Sequence, residues 1–154
     1  MKSKYLIQKV EFYLQLILLF IHITLLTFWV VEIVFLGTNK FDNSSQQEQD
    51  FGYQNFLTTK LFVFIGSYLV IVFFLVNLLV SRRYGIGYFF CIIWFIFFLS
   101  ILITHLIDKN AYENTFRKVV FSLFVVVNVF QLLLILYWIF KVNKERMINK
   151  ISMR

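Results

Sequence analysis

Ser81-Arg82-Arg83-Tyr84-Gly85-Ile86-Gly87 is the stretch on which the reading of this chain turns. It is the shortest polar break in the sequence, it carries an adjacent arginine pair, and it separates two long apolar runs, Leu61 to Val80 and Ile86 to Ile107. So short a break between two runs of membrane-spanning length reads as a tight turn between helices. Lys and Arg are enriched in cytoplasmic loops, so the arginine pair puts that turn on the cytoplasmic side.

Outward from the turn, two more apolar runs appear. A transmembrane helix needs about 20 apolar residues at about 1.5 Å rise each. The expected spans are residues 13–36, 61–80, 86–107 and 119–140, with an outer loop at 37–60 rich in Gln, Asn and Ser. A short loop of mixed charge follows the third span, and the basic tail 141–154 is suited to continuing the last helix along the headgroups. The basic start, with Lys2, Lys4 and Lys9, resembles a signal peptide only superficially: the apolar run is too long and no small-residue cleavage site follows. The fold class expected is therefore an all-α membrane protein, a single four-helix transmembrane domain over 1–154 in an up-down bundle.

Composition agrees. The 154 residues are 60% hydrophobic and 15% charged, against about 45–50% and about 25% in soluble domains. A chain this small has no way to hide that much apolar surface from water. With no proline, no proline kink is expected. With five glycines and one alanine, close GxxxG-type packing is scarce. The sole cysteine, Cys91, excludes an internal disulfide and a cysteine-based metal cage, and reads as a packed apolar thiol.

Charge sets the orientation. Lys2, Lys4, Lys9, Arg82, Arg83, Lys141, Lys144, Arg146, Lys150 and Arg154 fall on the termini and the arginine turn; only Lys40, Lys60, Lys109, Arg117 and Lys118 fall on the other two loops. Both termini are thus expected in the cytoplasm. The formal charge of +7 then follows from topology and from attraction to an anionic cytoplasmic leaflet, with Arg82, Arg83, Lys141, Lys144 and Arg146 at the headgroups. Nucleic acid is not an expected partner. The location expected is a multi-pass protein of a cell inner or plasma membrane, or of an organelle inner membrane.

Polar residues inside spans are the candidate functional groups, because they are costly there. They are Gln15, His22, Glu32, His105, Asn128 and Gln131, with Asp108 just above the third span. Counted from the cytoplasmic end, His22 lies about 13 Å up the first span, level with Asn128 and Gln131, while Glu32 and His105 lie about 28 Å up. Glu11, Gln15, His22 and Trp29 fall within about 40° on a helical wheel and are expected to face protein; Ser100, Thr104 and Asp108 form a similar stripe. One reading is a polar path with Glu32 and His105 at an outer mouth, His22, Asn128 and Gln131 halfway, and Gln15 and Arg82 near the exit. The other is plain interhelical hydrogen bonding, typically about 0.6 kcal/mol per pair.

Enzymatic readings lack support in the sequence. No HExxH or paired-Asp metal motif is present. Ser100, His105 and Asp108 share one helix, with His105 about 140° away from Ser100. An intrachain bis-histidine haem is disfavoured by the expected depth difference of about 15 Å between His22 and His105. No cofactor and no metal is expected. Asn43-Ser44-Ser45 matches the glycosylation acceptor pattern in the outer loop. Trp138 with Tyr137, and Tyr84 with Tyr88, are expected in an interfacial aromatic belt. The function expected is that of a small non-enzymatic membrane protein acting through helix–helix association, with itself or with other membrane subunits. The alternative is an oligomeric ion or proton channel lined by polar faces of the first and fourth helices.

Overall fold

The structure is a computed structural model. It describes residues 4–36, 46–107 and 115–151, with side chains over 4–31, 58, 60–107 and 115–148. Asn43, Asp108 and the side chain of Glu32 lie outside the described residues. Four helices account for nearly all of the described chain: α1 Lys9–Leu36, α2 Gln46–Tyr84, α3 Tyr88–Leu106 and α4 Thr115–Ile151. Each contains a stretch long and apolar enough to cross a membrane: Lys9–Val31, Lys60–Tyr84, Tyr88–Leu106 and Thr115–Ile148. No strand occurs among the described residues, only one isolated antiparallel bridge between Tyr5 and Ile86.

Helix is the natural state here because a helix satisfies its own backbone polar groups, which lipid does not do. With no proline to interrupt it, helix runs beyond the apolar stretches. Residues 46–60, expected as an irregular outer loop, are instead the first turns of α2. The basic tail continues α4 to Ile151. Helix α1 begins at Lys9, four residues before the expected span, because Glu11 is drawn into the protein. Glycine does the punctuation: α2 stops at Gly85, whose φ of +74° is a left-handed cap, and its N–H reaches the Ser81 carbonyl at 2.7 Å. Gly87 is the N-cap of α3.

Buried positions recur at alternating spacings of three and four on every helix. They run Phe12, Gln15, Leu19, His22, Leu26, Trp29 on α1 and Phe64, Ser67, Ile71, Phe74, Leu78, Ser81 on α2. They run Cys91, Trp94, Phe98, Ile101, His105 on α3 and Arg117, Phe121, Phe124, Asn128, Gln131, Ile135, Trp138, Val142 on α4. That is the a/d seam of knobs-into-holes packing, the geometry of four-helix bundles. α1 packs on α2 and α4, and α3 packs on α4 and α2, so each helix has two neighbours.

Aromatic rings fill the seam. Trp29 lies edge-on to Phe64, Phe121 and Phe124 at 5.7, 5.6 and 5.9 Å, and Phe74 packs against Trp94 and Phe98 at 4.9 and 5.0 Å. Such pairs contribute about 0.5–1.5 kcal/mol each beyond area burial. The outward positions carry Phe20, Phe62, Phe73, Phe89, Phe130 and Phe140, all well exposed, which is the face a lipid solvent requires and water does not tolerate. Tyr84, Tyr88 and Tyr137 are also exposed, as a belt needs. Trp138 is not: it is fully buried, because its indole N–H is taken by the Glu11 carboxylate. Ser100 and Thr104 are exposed, and Thr104 Oγ1 donates to the Ser100 carbonyl at 2.8 Å. Their stripe therefore faces outward, and a hydroxyl satisfied by its own helix backbone needs no protein partner.

Candidate functional site

The polar side chains of α1 and α4 meet inside the bundle. Gln15, His22 and Trp29 sit seven residues apart on α1, so they share one face. Asn128 and Gln131 occupy adjacent seam positions on α4. Gln15, His22, Asn128 and Gln131 are all at 0% exposure. His22 Nδ1 and Gln131 Oε1 are 3.1 Å apart. A carboxamide oxygen only accepts, so Nδ1 carries the hydrogen and Nε2 keeps its lone pair. His105 is in the same tautomer, its Nδ1 donating to the Ile101 carbonyl at 2.8 Å.

Most of the cluster's polar capacity is unused. Both carboxamide atoms of Gln15 and of Asn128 lack a hydrogen-bond partner among the described residues, as do His22 Nε2, Gln131 Nε2 and Trp29 Nε1. The α1 and α4 seam positions beyond the cluster are aromatic and nearly or fully buried: Trp29, Phe121 and Phe124 in one direction, Phe12 and Trp138 in the other.

The two histidines lie closer than their expected depths imply. Each ring centroid is 4.7 Å from that of Phe124, so the imidazoles are less than twice that distance apart. The expected separation of about 15 Å measured His22 from Tyr13; from the true helix starts, Lys9 and Tyr88, the two differ by about 6 Å in depth. Both pack against the Phe124 ring. Ser100 and His105 point to different faces, one exposed and one buried, so they form no nucleophile–base pair. No group of three or more His, Cys, Asp or Glu suited to a metal ion occurs among the described residues.

At the end of the bundle that carries the α2–α3 turn the arginines are not part of the polar interior. Arg82 is exposed and lays its guanidinium over the Phe12 ring at 4.7 Å and the Tyr13 ring at 5.9 Å. Arg83 stacks on Tyr84 at 5.8 Å and Lys141 on Tyr137 at 5.2 Å, while Lys144 and Arg146 are exposed. The buried charge at this end of the bundle is Glu11 instead. Its carboxylate accepts from Tyr5 Oη at 2.8 and 3.0 Å, Trp138 Nε1 at 3.2 Å and the Gln8 N–H at 3.4 Å.

Residues 4–8 thus fold back under the bundle. Tyr5 and Ile86 exchange main-chain hydrogen bonds of 2.9 and 2.8 Å, which staples the N-terminal segment to the α2–α3 turn. Burial, reinforced by the adjacent Glu11 carboxylate, pushes the Tyr5 phenol above its ordinary pKa. The helical wheel already put Glu11 on the Gln15–His22 face, but Tyr5 precedes the helix and has no periodicity to reveal it. Arg117, buried on the α4 seam, was equally invisible, its loop position hiding it among ordinary surface charges.

Four apolar helices packed into one bundle with a polar interior make this a small multi-pass membrane protein. The chain matches no family model, no curated protein and no solved structure.

Proposed function

We propose that this chain is a non-enzymatic membrane protein that acts through helix–helix association, as a homo-oligomer or as an accessory subunit of a membrane complex. In this reading it is an up-down bundle with both termini cytoplasmic. Glu11 lies beside Trp138, His22 beside Gln131 and Trp29 beside Phe121, which supports α1 and α4 running in opposite directions. Arg82 beside Phe12 and Phe64 beside Trp29 support the same for α1 and α2. Arg82, Arg83, Lys144 and Arg146 then gather at the inner end with both termini, each worth about 1 kcal/mol against an anionic leaflet.

The observation that carries the proposal is the sorting of polarity: the intramembrane carboxamides and His22 are buried inside one chain, and the outside is a shell of Phe, Leu, Ile and Val. Such a protein offers a neighbour little but shape. Two shallow apolar grooves provide it, one along α1 and α4 between Leu14 and Tyr137, the other along α2 and α3 between Phe62 and Thr104. The alternative, a channel between chains lined by α1 and α4, is less well served, because those polar faces close on each other within a single bundle. Gentle extraction followed by mass measurement of the intact particle tests the proposal. A multimer or a defined complex is the expected result; a monodisperse, uncomplexed monomer overturns it.

A further inference from the structure

We propose that the middle of the bundle is a hydration site: a small cluster of water molecules bound by Gln15, His22, Asn128 and Gln131, between buried aromatic layers. The polar atoms define the occupant. Gln15 and Asn128 each present one unpartnered acceptor and one unpartnered pair of amide donors, Gln131 presents a free amide nitrogen, and His22 presents the Nε2 lone pair. All four side chains are fully buried. The His22–Gln131 hydrogen bond sets their orientation, since it commits Nδ1 and Oε1 to each other and leaves Nε2 and the Gln131 amide to a third party.

Three neutral carboxamides and a neutral imidazole do not suit a metal ion or an anion. They match a species that donates and accepts at once, is uncharged and is very small. Water fits, since a buried water commonly makes about three hydrogen bonds to otherwise unsatisfied groups. Left dry, each such group carries a desolvation penalty, and several together would exceed what a marginally stable fold tolerates. Along α1, Gln15 and His22 are separated by about 10 Å, the span of a few hydrogen-bonded waters, with Gln131 beside His22. Buried aromatic side chains flank the cluster along the two seams, Trp29, Phe121 and Phe124 in one direction and Phe12 and Trp138 in the other. The cluster is therefore resident water, not an open pore, and the site stands whether or not the chain associates with others.

Solid-state NMR on the full-length protein, reconstituted in lipid vesicles, reads this directly. Magnetisation is transferred from water to the side-chain nitrogens of Gln, Asn and His, assigned by Gln15→Met and Asn128→Leu. The expected result is rapid transfer to the Gln15 and Asn128 amides and to the His22 ring, against none to the backbone of Leu26 or Phe98 in the same core. Asn128→Leu is expected to weaken the signal at His22 while the His22–Gln131 contact persists. Transfer no faster than at Leu26 overturns the proposal. So do through-space contacts that pair the Gln15 amide with Gln131 and the Asn128 amide with the His22 ring, because repacked amides would leave water no partners.

Discussion

Tyr5→Phe removes a single hydroxyl and leaves the rest of its end of the bundle intact. The ring still packs, and the Tyr5–Ile86 bridge is main-chain and survives. What is lost is the O–H that donates to both oxygens of Glu11 at 2.8 and 3.0 Å. The carboxylate keeps only the Trp138 indole at 3.2 Å and the Gln8 N–H at 3.4 Å, the two longer bonds. A hydrogen bond to a charged group contributes about 1.5–3 kcal/mol, and Glu11 stays buried after the change. The expected cost is about 2 kcal/mol, roughly thirtyfold in the folding equilibrium. The assay is denaturant unfolding in bicelles followed by tryptophan fluorescence, with buried Trp138 as a reporter within the same cluster.

The same substitution has a pH signature. The folded phenol has its pKa raised by burial and by Glu11; the unfolded phenol titrates near the usual value of about 10. Above that pH the unfolded chain gives up a proton that the folded chain keeps, so stability from this group is complete below it and falls as pH rises. Wild type is therefore expected to lose stability faster than Tyr5→Phe above about pH 10, and the gap between the two curves narrows. Lysines titrate in both proteins and cancel in the comparison. A variant as stable as wild type at neutral pH, with an unchanged alkaline slope, refutes the role given to this hydroxyl.

Gly85→Ala is expected to destabilise by about 1–3 kcal/mol, because a Cβ there meets the Tyr5 carbonyl oxygen at 3.1 Å at a φ of +74°; Gly66→Ala, where a Cβ meets nothing within 4 Å, is not, and unfolding curves of the pair separate turn strain from general glycine loss. His22→Leu and Gln131→Leu each orphan the other's buried partner, at about 1–3 kcal/mol; the double variant is expected to cost less than the two together, and strict additivity in the double-mutant cycle counts against the 3.1 Å contact. Cys91, at 0% exposure, is expected to resist a membrane-permeant maleimide in folded protein and to react once unfolded, read by intact mass. Arg82→Gln is expected to cost no more than about 1 kcal/mol, the value of an exposed cation–π contact, while Arg82→Gln with Arg83→Gln raises the fraction of chains whose C-terminal tag is accessible from the wrong side, read by protease protection.

What the sequence revealed and what it hid divide along one physical line. Properties that depend on sums over many residues were legible: four spans, from the length of the apolar runs; the buried face of α1, from the period that aligns Gln15, His22 and Trp29; the buried thiol of Cys91. Each survives an error of a few residues. Depth did not survive such an error, because it is counted from a helix start, and Glu11 moved the start of α1 back to Lys9. That one residue, on the wheel face expected to look into the protein but left outside the expected span, displaced His22 relative to His105 and took Trp138 out of the expected belt. What the wheel did not reveal is the set of partners Glu11 finds, which come from separate places: Tyr5 and Gln8 before the helix, and Trp138, 127 positions away. No local pattern encodes such a convergence. An acidic residue on the same wheel face as buried carboxamides is the one signal that was available, and in a membrane chain that signal carries weight, since lipid gives a carboxylate no alternative to finding donors within the protein.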